Sequence, residues 1–364
     1  MLGYPINLAG TPGLSEYLAP YLNYSLNNLG DPFIGGMYGL NTFEQEKDVV
    51  LAMSDFFHLP HDLSWGYITS CGSESNLRAL SLAKQHYPDG VIYFSEASHY
   101  SVKNAAQLTS PCKYRIIRTF KNDNGGSEVI DLDDLYSKID LTKPVILSLN
   151  VGTTFTQDLD PVEDIIRKLR KHLTANMMFV HIDAALSGMM LPFLGSNYRF
   201  DFSLDIDSLT ISGHKFLGCP MPCGVFLCRK KHIQNNYIDY ISSSNNTLFG
   251  SRNSLAVLAL HYILGHYGWD RFSKLGKVVE RCCNNTNYLR QGLINIGDDV
   301  YKVKAPELAN TLTFNMPSLK LVEKWQLATK PDQGLAHAIV MPHVNKPMID
   351  EFIADMKEDY NGYT

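Results

Sequence analysis

Between Trp65 and Cys228 the chain alternates two hydrophobic patterns. Short apolar runs recur at Trp65–Thr69, Val91–Phe94, Arg115–Phe120, Val145–Leu149, Met177–Ile182, Leu209–Ile211 and Gly224–Cys228. Between them, apolar residues return at helical spacing. Leu77, Leu80, Ala83 and Tyr87 form one such stripe, and Val162, Ile165, Ile166, Leu169 and Leu173 another. Continuous apolar runs read as strands buried on both faces, and the helical stripes read as the layers that bury them. The alternation therefore predicts an α/β fold with a mostly parallel sheet and helices on both faces.

The flanks are patterned differently. Residues 1–43 are rich in Gly, Pro, Asn and Tyr and read as an irregular N-terminal segment. A helix is predicted from Thr42 to Phe57, with Val49, Val50, Met53, Phe56 and Phe57 on its apolar face. Asp133–Ile139 predicts a short helix, and Asn122-Asp123-Asn124-Gly125-Gly126 a turn. Residues 255–300 read as helical. Short strands at Leu312–Phe314 and Ala338–Met341 and a last helix at Met348–Met356 then suggest a small α+β unit. The expected division is 1–43, a large domain at 44–250, and a linking helix with a small domain at 251–364.

Bulk properties narrow the function class. The net charge of −5 gives no basic footprint for nucleic acid or an anionic membrane. No apolar run approaches the ~18 residues of a membrane span, and Met1-Leu2-Gly3-Tyr4-Pro5 does not read as a signal peptide. The seven cysteines are odd in number and irregular in spacing, and Cys219-x-x-x-Cys223 lacks a second pair, so a metal site is not expected. Free thiols in a reducing cytoplasm are the expectation.

The chemistry gathers at strand ends. Leu209-Thr210-Ile211 stops in Ser212-Gly213-His214-Lys215, ahead of Cys219-Pro220-Met221-Pro222-Cys223 and another apolar run. A lysine between two apolar runs is desolvated, which favours the neutral amine that attacks a carbonyl. His181-Ile182-Asp183-Ala184-Ala185 ends an earlier strand. A carboxylate there and a lysine on a later strand end are the parts of a pyridoxal phosphate site. Ser70-Cys71-Gly72-Ser73-Glu74-Ser75-Asn76 opens a helix, where free N–H groups and the dipole attract a phosphate.

His181-x-Asp183-Ala184-Ala185 and Ser212-Gly213-His214-Lys215 resemble the signatures of the group II pyridoxal-phosphate-dependent amino-acid decarboxylases. The chain is most similar to their short bacterial histidine decarboxylases and plant serine decarboxylases, from about residue 24 to about residue 355. The resemblance implies pyridoxal-phosphate fold type I, aspartate aminotransferase-like, with a seven-stranded sheet, and a homodimer with shared active sites. It implies phosphate binding by Ser73, Glu74 (through its backbone N–H) and Ser75, and a ring stacked on His99. Thr153 would lie near the ring, Asp183 would hold the pyridine nitrogen, and Lys215 would carry the cofactor with Ser212 and His214 beside it. The segment Asn28–Phe33, close to the plant enzymes, would bring Tyr38 to the substrate side. Ser251, in Leu248-Phe249-Gly250-Ser251-Arg252, would reach the phosphate of the partner subunit; capping of the next helix by Ser251, with Arg252 in a buried ion pair, is the alternative. Where the family keeps a serine before the strand at Thr311–Phe314, this chain reads Leu308-Ala309-Asn310.

The expected reaction is decarboxylation of an L-amino acid, histidine to histamine first and serine to ethanolamine as its rival. A different pyridoxal lyase, a transaminase or a non-catalytic relative are the alternatives. Loss of CO2 needs the carboxylate to shed its charge, so a strong cationic clamp on it opposes the reaction. No Arg follows Arg290, which disfavours the transaminase reading.

Overall fold

The computed structural model describes residues 1–120, 127–234 and 236–363; the turn expected at 122–126 lies outside them. The central sheet comprises β1 (Ser64–Thr69), β2 (Val91–Ser95), β3 (Tyr114–Ile117), β4 (Val145–Asn150), β5 (Met178–Asp183), β6 (Ser208–Ser212) and β7 (Gly224–Arg229). Their order is β1-β7-β6-β5-β4-β2-β3. Neighbours are parallel except around β7, which runs antiparallel to both β1 and β6. The seven-stranded, mostly parallel sheet is as expected.

Strand alternation assigns the faces. On β2 and β4, Ile92, Phe94 and Ile146 point to one side, where they pack with Leu80, Ala83, Val102 and Ala105. Those residues come from α3 (Gly72–His86) and α4 (Tyr100–Thr109), the third and fourth helices after α1 (Leu14–Leu18) and α2 (Phe43–Phe56). Tyr93, Val145 and Leu147 point to the other side and join the larger core. Phe179 of β5 belongs to the α3/α4 side, so His181 and Asp183, two and four residues on, share that face. Burying each such Ile, Leu or Phe contributes about 1.5–3 kcal/mol.

Further helices are α5 (Leu132–Lys138), α6 (Val162–Leu169), α7 (Ser254–Tyr267), α8 (Leu275–Ile296), α9 (Asp298–Tyr301), α10 (Leu319–Trp325) and α11 (Lys346–Tyr363). The helical stretch expected over 255–300 is broken between α7 and α8, where Gly268 ends the first at φ 92°. A ribbon of β8 (Tyr237–Ile238) and β9 (Ser243–Ser244) occupies the stretch that reads as a plain loop. A small antiparallel sheet joins β10 (Thr311–Asn315), β12 (Leu335–Ile339) and β11 (Ala328–Lys330) in that order.

The N-terminal segment is more ordered than its composition suggests. Leu2 N–H donates to Trp325 O at 2.9 Å and Gly3 N–H to Gln326 O at 3.1 Å, while Ile339 N–H donates to Leu2 O at 2.6 Å. The first residues thus lie along the small sheet. The approach requires glycine at position 3, where a Cβ would stand 2.2 Å from the Ala328 nitrogen. A buried ion pair between Glu46 of α2 and Arg252 ties the start of α7 to the segment around Asn28. Among the described residues no helix is long and apolar enough to cross a membrane.

Candidate active site

A cavity of about 380 Å³ opens at the C-terminal ends of β4, β5 and β6 and the start of α3. Ligands bind at such strand ends in open α/β sheets. Ser73, His99, Thr153, Asp183, Ser212, His214 and Lys215 all line it. Sequence positions more than a hundred residues apart are brought together because each one ends a strand or begins a helix on the same rim.

Lys215 sits in the connection that turns β6 back into β7. Gly213 N–H donates to Cys223 O at 2.9 Å and Cys219 N–H to Gly213 O at 3.0 Å, closing that turn. Burial pushes the Lys215 ammonium below its ordinary pKa, and the Asp183 carboxylate opposes the shift. His214 keeps its Nδ1 at the Cys223 backbone, 2.9 Å from the carbonyl oxygen and 3.2 Å from the nitrogen.

Asp183 is fixed on both oxygens. Oδ1 accepts from Ala185 N–H at 3.1 Å and Oδ2 from Asn76 Nδ2 at 2.8 Å. His99 caps α4, with Nδ1 2.8 Å from Ser101 Oγ and 3.3 Å from Ser101 N. Burial lowers the His99 pKa, Asp183 raises it in part, and Lys215 lowers it further. The ring is thus neutral at pH 7 and stands beside the cavity as a flat polarisable surface. Thr153 Oγ1 lies 2.9 Å from Thr156 Oγ1 and accepts from Asp158 N–H at 3.0 Å.

The helix start divides the predicted phosphate loop. Gly72 and Ser73 reach the cavity, and the first amides of α3 lack intrahelical partners. A side chain at position 72 would meet Ser212 Oγ at 2.7 Å, so helix and strand end approach closely only with glycine there. Ser75 does not reach the cavity: it is fully buried, with its Oγ 2.7 Å from Thr69 Oγ1. The Glu74 side chain points off the cavity, where its carboxylate accepts from Ser70 N–H and Ser70 Oγ, both at 2.7 Å, and from Tyr67 OH at 3.0 Å, while its backbone N–H remains among the first amides of α3. It holds the loop from behind.

Two predicted residues stand apart from this cavity. Tyr38 OH donates to Ser25 O at 3.0 Å. Ser251 Oγ accepts from Asn27 Nδ2 at 3.0 Å, and the cap of α7 is Asn253, whose side chain accepts from Ala256 N–H at 3.2 Å. Arg252 is in the buried ion pair. The Asn310-Thr311 stretch also turns inward, where Gln157 Oε1 accepts from Asn310 N–H at 3.0 Å and from Thr311 Oγ1 at 2.7 Å.

Other lining residues carry no motif. Gly3, Tyr4 and Pro5 form part of the wall with Ala328 and His337. His337 has Nδ1 2.7 Å from Phe155 O and Nε2 2.9 Å from Gly3 O, so it braces this wall from below. Asn76 and Ser101 also face the cavity. Helical spacing from Ser73 could have flagged Asn76, since it lies one turn further along the same helix face. Nothing local flags the N-terminal residues, whose place depends on pairing with the far end of the chain. No arginine lines the cavity, and Lys330, on the adjoining β11, is ion-paired to Glu128.

A family model described as the pyridoxal-dependent decarboxylase conserved domain matches residues 41–311. The chain belongs to the pyridoxal-dependent decarboxylase family. As a pyridoxal-dependent decarboxylase it is an amino-acid carboxy-lyase, and its cofactor is pyridoxal phosphate. It is 37% identical over 366 residues to serine decarboxylase 2 of Oryza sativa subsp. japonica, covering 98% of this chain and 74% of that one. It is 36% identical over 356 residues to a histidine decarboxylase of Vibrio campbellii, covering 94% and 88%. L-methionine decarboxylase from Streptomyces sp. 590 superposes with a TM-score of 0.87 at 24% identity, covering 99% of this chain and 91% of that chain; this likeness concerns the fold.

The residues of this pyridoxal-dependent decarboxylase fit the cofactor. A desolvated lysine, a carboxylate held by two N–H donors, a flat neutral imidazole and a glycine-opened helix start surround one cavity. Each matches one chemical feature of pyridoxal phosphate: aldehyde, pyridine nitrogen, ring face and phosphate.

Proposed function

We propose that this decarboxylase acts on L-histidine, releasing CO2 and histamine. The observation that carries the reading is the apolar part of the cavity lining. Tyr4, Pro5, Leu186 and Ala328 supply it, with His337 beside them on the same wall. Such a wall suits a flat imidazole better than a hydroxymethyl group, which would leave it unfilled. A second reading, L-serine to ethanolamine, is favoured by the 37% identity to the rice serine decarboxylase.

Roles follow from position. Lys215 is the residue that would hold the cofactor, its desolvated amine being the one group in the cavity suited to the aldehyde. Asp183 keeps the pyridine nitrogen protonated, His99 stacks on the ring, and Ser73 with the first amides of α3 holds the phosphate. Ser212 and His214 steady the lysine turn, and Thr153 bounds the ring edge. Bound pyridoxal phosphate supplies an electron sink for the pair left at Cα when CO2 departs. Among the described residues no arginine lines the cavity, which supports decarboxylation, since no guanidinium there clamps the substrate carboxylate as an anion.

The protein works as a homodimer in this reading, in the cytoplasm, with domains divided at 44 and 251. Residues 24–41 pack along 237–251, with Met37 N–H donating to Ile241 O at 3.4 Å and Asp31 N–H to Ser244 O at 2.9 Å. This joined surface leaves Tyr24, Ile34, Met37, Leu40, Tyr237, Tyr240 and Phe249 exposed. An apolar patch of that kind calls for a partner. A second copy covering it would carry Tyr38 and Ser251 toward the other subunit's cavity.

The test is to supply each common amino acid to the cofactor-loaded protein, measure CO2 and identify the amine by mass. Histamine supports the leading reading. Ethanolamine moves the substrate to serine, and no CO2 from any amino acid sinks both.

A further inference from the structure

Asp183 and His99 approach the cavity from different elements, yet one side chain connects them. We propose that Asn76 is a positioning residue that sets the carboxylate of Asp183 and the tautomer of His99 together. The proposal rests on the reading of Asp183 and His99 as the groups facing the cofactor ring.

The hydrogen bonds allow one arrangement. Asn76 Nδ2 lies 2.8 Å from Asp183 Oδ2 and 3.0 Å from Ser101 Oγ, so its two protons are both used. Asn76 Oδ1 lies 3.0 Å from His181 Nε2. His181 is fully buried, and desolvation pushes its pKa down to about 4, so the ring is neutral with one proton. A carbonyl oxygen only accepts, so that proton is on Nε2, and Nδ1 accepts from Ser208 Oγ at 2.9 Å. The reversed amide would set its oxygen against the Asp183 carboxylate, a repulsive contact, so the carboxylate locks the amide in one orientation and the amide in turn fixes the His181 tautomer.

The lock extends to His99. Ser101 Oγ accepts from Asn76 and so directs its own proton to His99 Nδ1 at 2.8 Å, with Ser101 N–H also aimed there at 3.3 Å. With Nδ1 an acceptor, the proton of neutral His99 is on Nε2. The path Ser208–His181–Asn76 thus branches to Asp183 and, through Ser101, to His99. Asn76, His181, Asp183 and Ser101 are all buried, so each hydrogen bond among them acts in a weakly screened setting.

Asn76→Ala and Asn76→Asp test this, with ¹⁵N NMR of the histidine rings in cofactor-free protein as the readout independent of turnover. The wild type should give the Nε2–H form of His99, and both variants a mixture of tautomers. On loading, kcat should fall roughly 10- to 100-fold while KM moves by less than about threefold, the size of loss seen when an orienting partner is removed. Asn76→Asp should also move the pH at which the loaded cofactor's absorbance titrates, because two carboxylates in contact do not both ionise. If Asn76→Ala folds poorly, Ser101→Ala cuts only the arm to His99 and should alter its tautomer alone. A folded Asn76→Ala variant, or Ser101→Ala in its place, with the wild-type His99 tautomer would overturn the proposal, as would unchanged kcat and absorbance titration in the Asn76 variants. Asp183→Asn separates the two levels. If it leaves cofactor absorbance and kcat unchanged, the underlying reading of Asp183 fails; if it is disabled while Asn76→Ala is not, only the role of Asn76 fails.

Discussion

The floor of the cavity and the surface of residues 24–41 and 237–251 are built in opposite ways. On the floor, Asp183, Asn76, His181, Ser208, Ser101 and His99 satisfy one another within a single chain. On the outer surface, Met37 is 83% and Tyr240 85% exposed, and Tyr38 bonds to Ser25 and Ser251 to Asn27, both within that surface. The floor has the closed hydrogen bonding of a preorganised site, which needs nothing further to hold its shape. The outer surface has the apolar exposure of an unfinished interface. In the proposed reading one chain carries the groups for the cofactor, while Tyr38 and Ser251, assigned to the substrate side and the phosphate rim, would serve a second copy.

The largest expected effect breaks the floor. Lys215→Ala should cut CO2 release by at least about 10³-fold and lose the cofactor on desalting, because the covalent tether and the amine are removed together. Retained cofactor with near wild-type turnover would remove Lys215 from the mechanism. Next, Met37→Asp with Tyr240→Asp should yield monomers in sedimentation velocity and lower activity about tenfold or more at dilute concentration. Monomers of full activity would show that one chain completes the site.

Subunit mixing sharpens the comparison further. Ser251→Asp would set a carboxylate against the phosphate and inactivate the partner's cavity. Lys215→Ala inactivates its own cavity. If cavities are shared, refolding the two variants together leaves one intact cavity in each mixed dimer, and about a quarter of wild-type activity returns. No recovery would confine Ser251 to its own chain.

The same contrast decides what was legible in the sequence. Asp183 ends β5 and Lys215 follows β6 by three residues, where an apolar run stops at polar residues, and local pattern finds such places; His99, the cap of α4, was reached only through the family resemblance. The strands were readable for the same reason: β4 and β5 are buried along their whole length and open on apolar runs, Val145-Ile146-Leu147 and Met178-Phe179-Val180. Ser75 shows the limit. Ser73 and Ser75 look equivalent in Gly-Ser-Glu-Ser, but two positions turn a helix by about 200°, so Ser75 points at Thr69 while Ser73 faces the cavity. Gly3, Tyr4 and Pro5 were unreadable because their place depends on pairing with Trp325, Gln326 and Ile339. The exposed apolar residues of 24–41 looked like ordinary loop, since nothing local distinguishes a loop that is covered from one that is not.

The smallest expected effect lies in the acid limb of stability and probes the floor alone. His181 is neutral in the folded protein, with its pKa lowered by burial from the ordinary 6.5 to about 4. Above pH 6.5 both the folded and the unfolded chain hold it neutral, and its contribution is fully present. As the pH falls from 6.5 toward 4, the unfolded chain takes up a proton that the folded chain refuses, so stability drops across that window and levels off below it. His181→Gln keeps a donor toward Asn76 and has no such proton. The melting temperature of the wild type should therefore approach that of His181→Gln by a few degrees between pH 6.5 and 4. Parallel acid limbs for wild type and His181→Gln would mean that water reaches His181, and the closed character of the floor would fail with it.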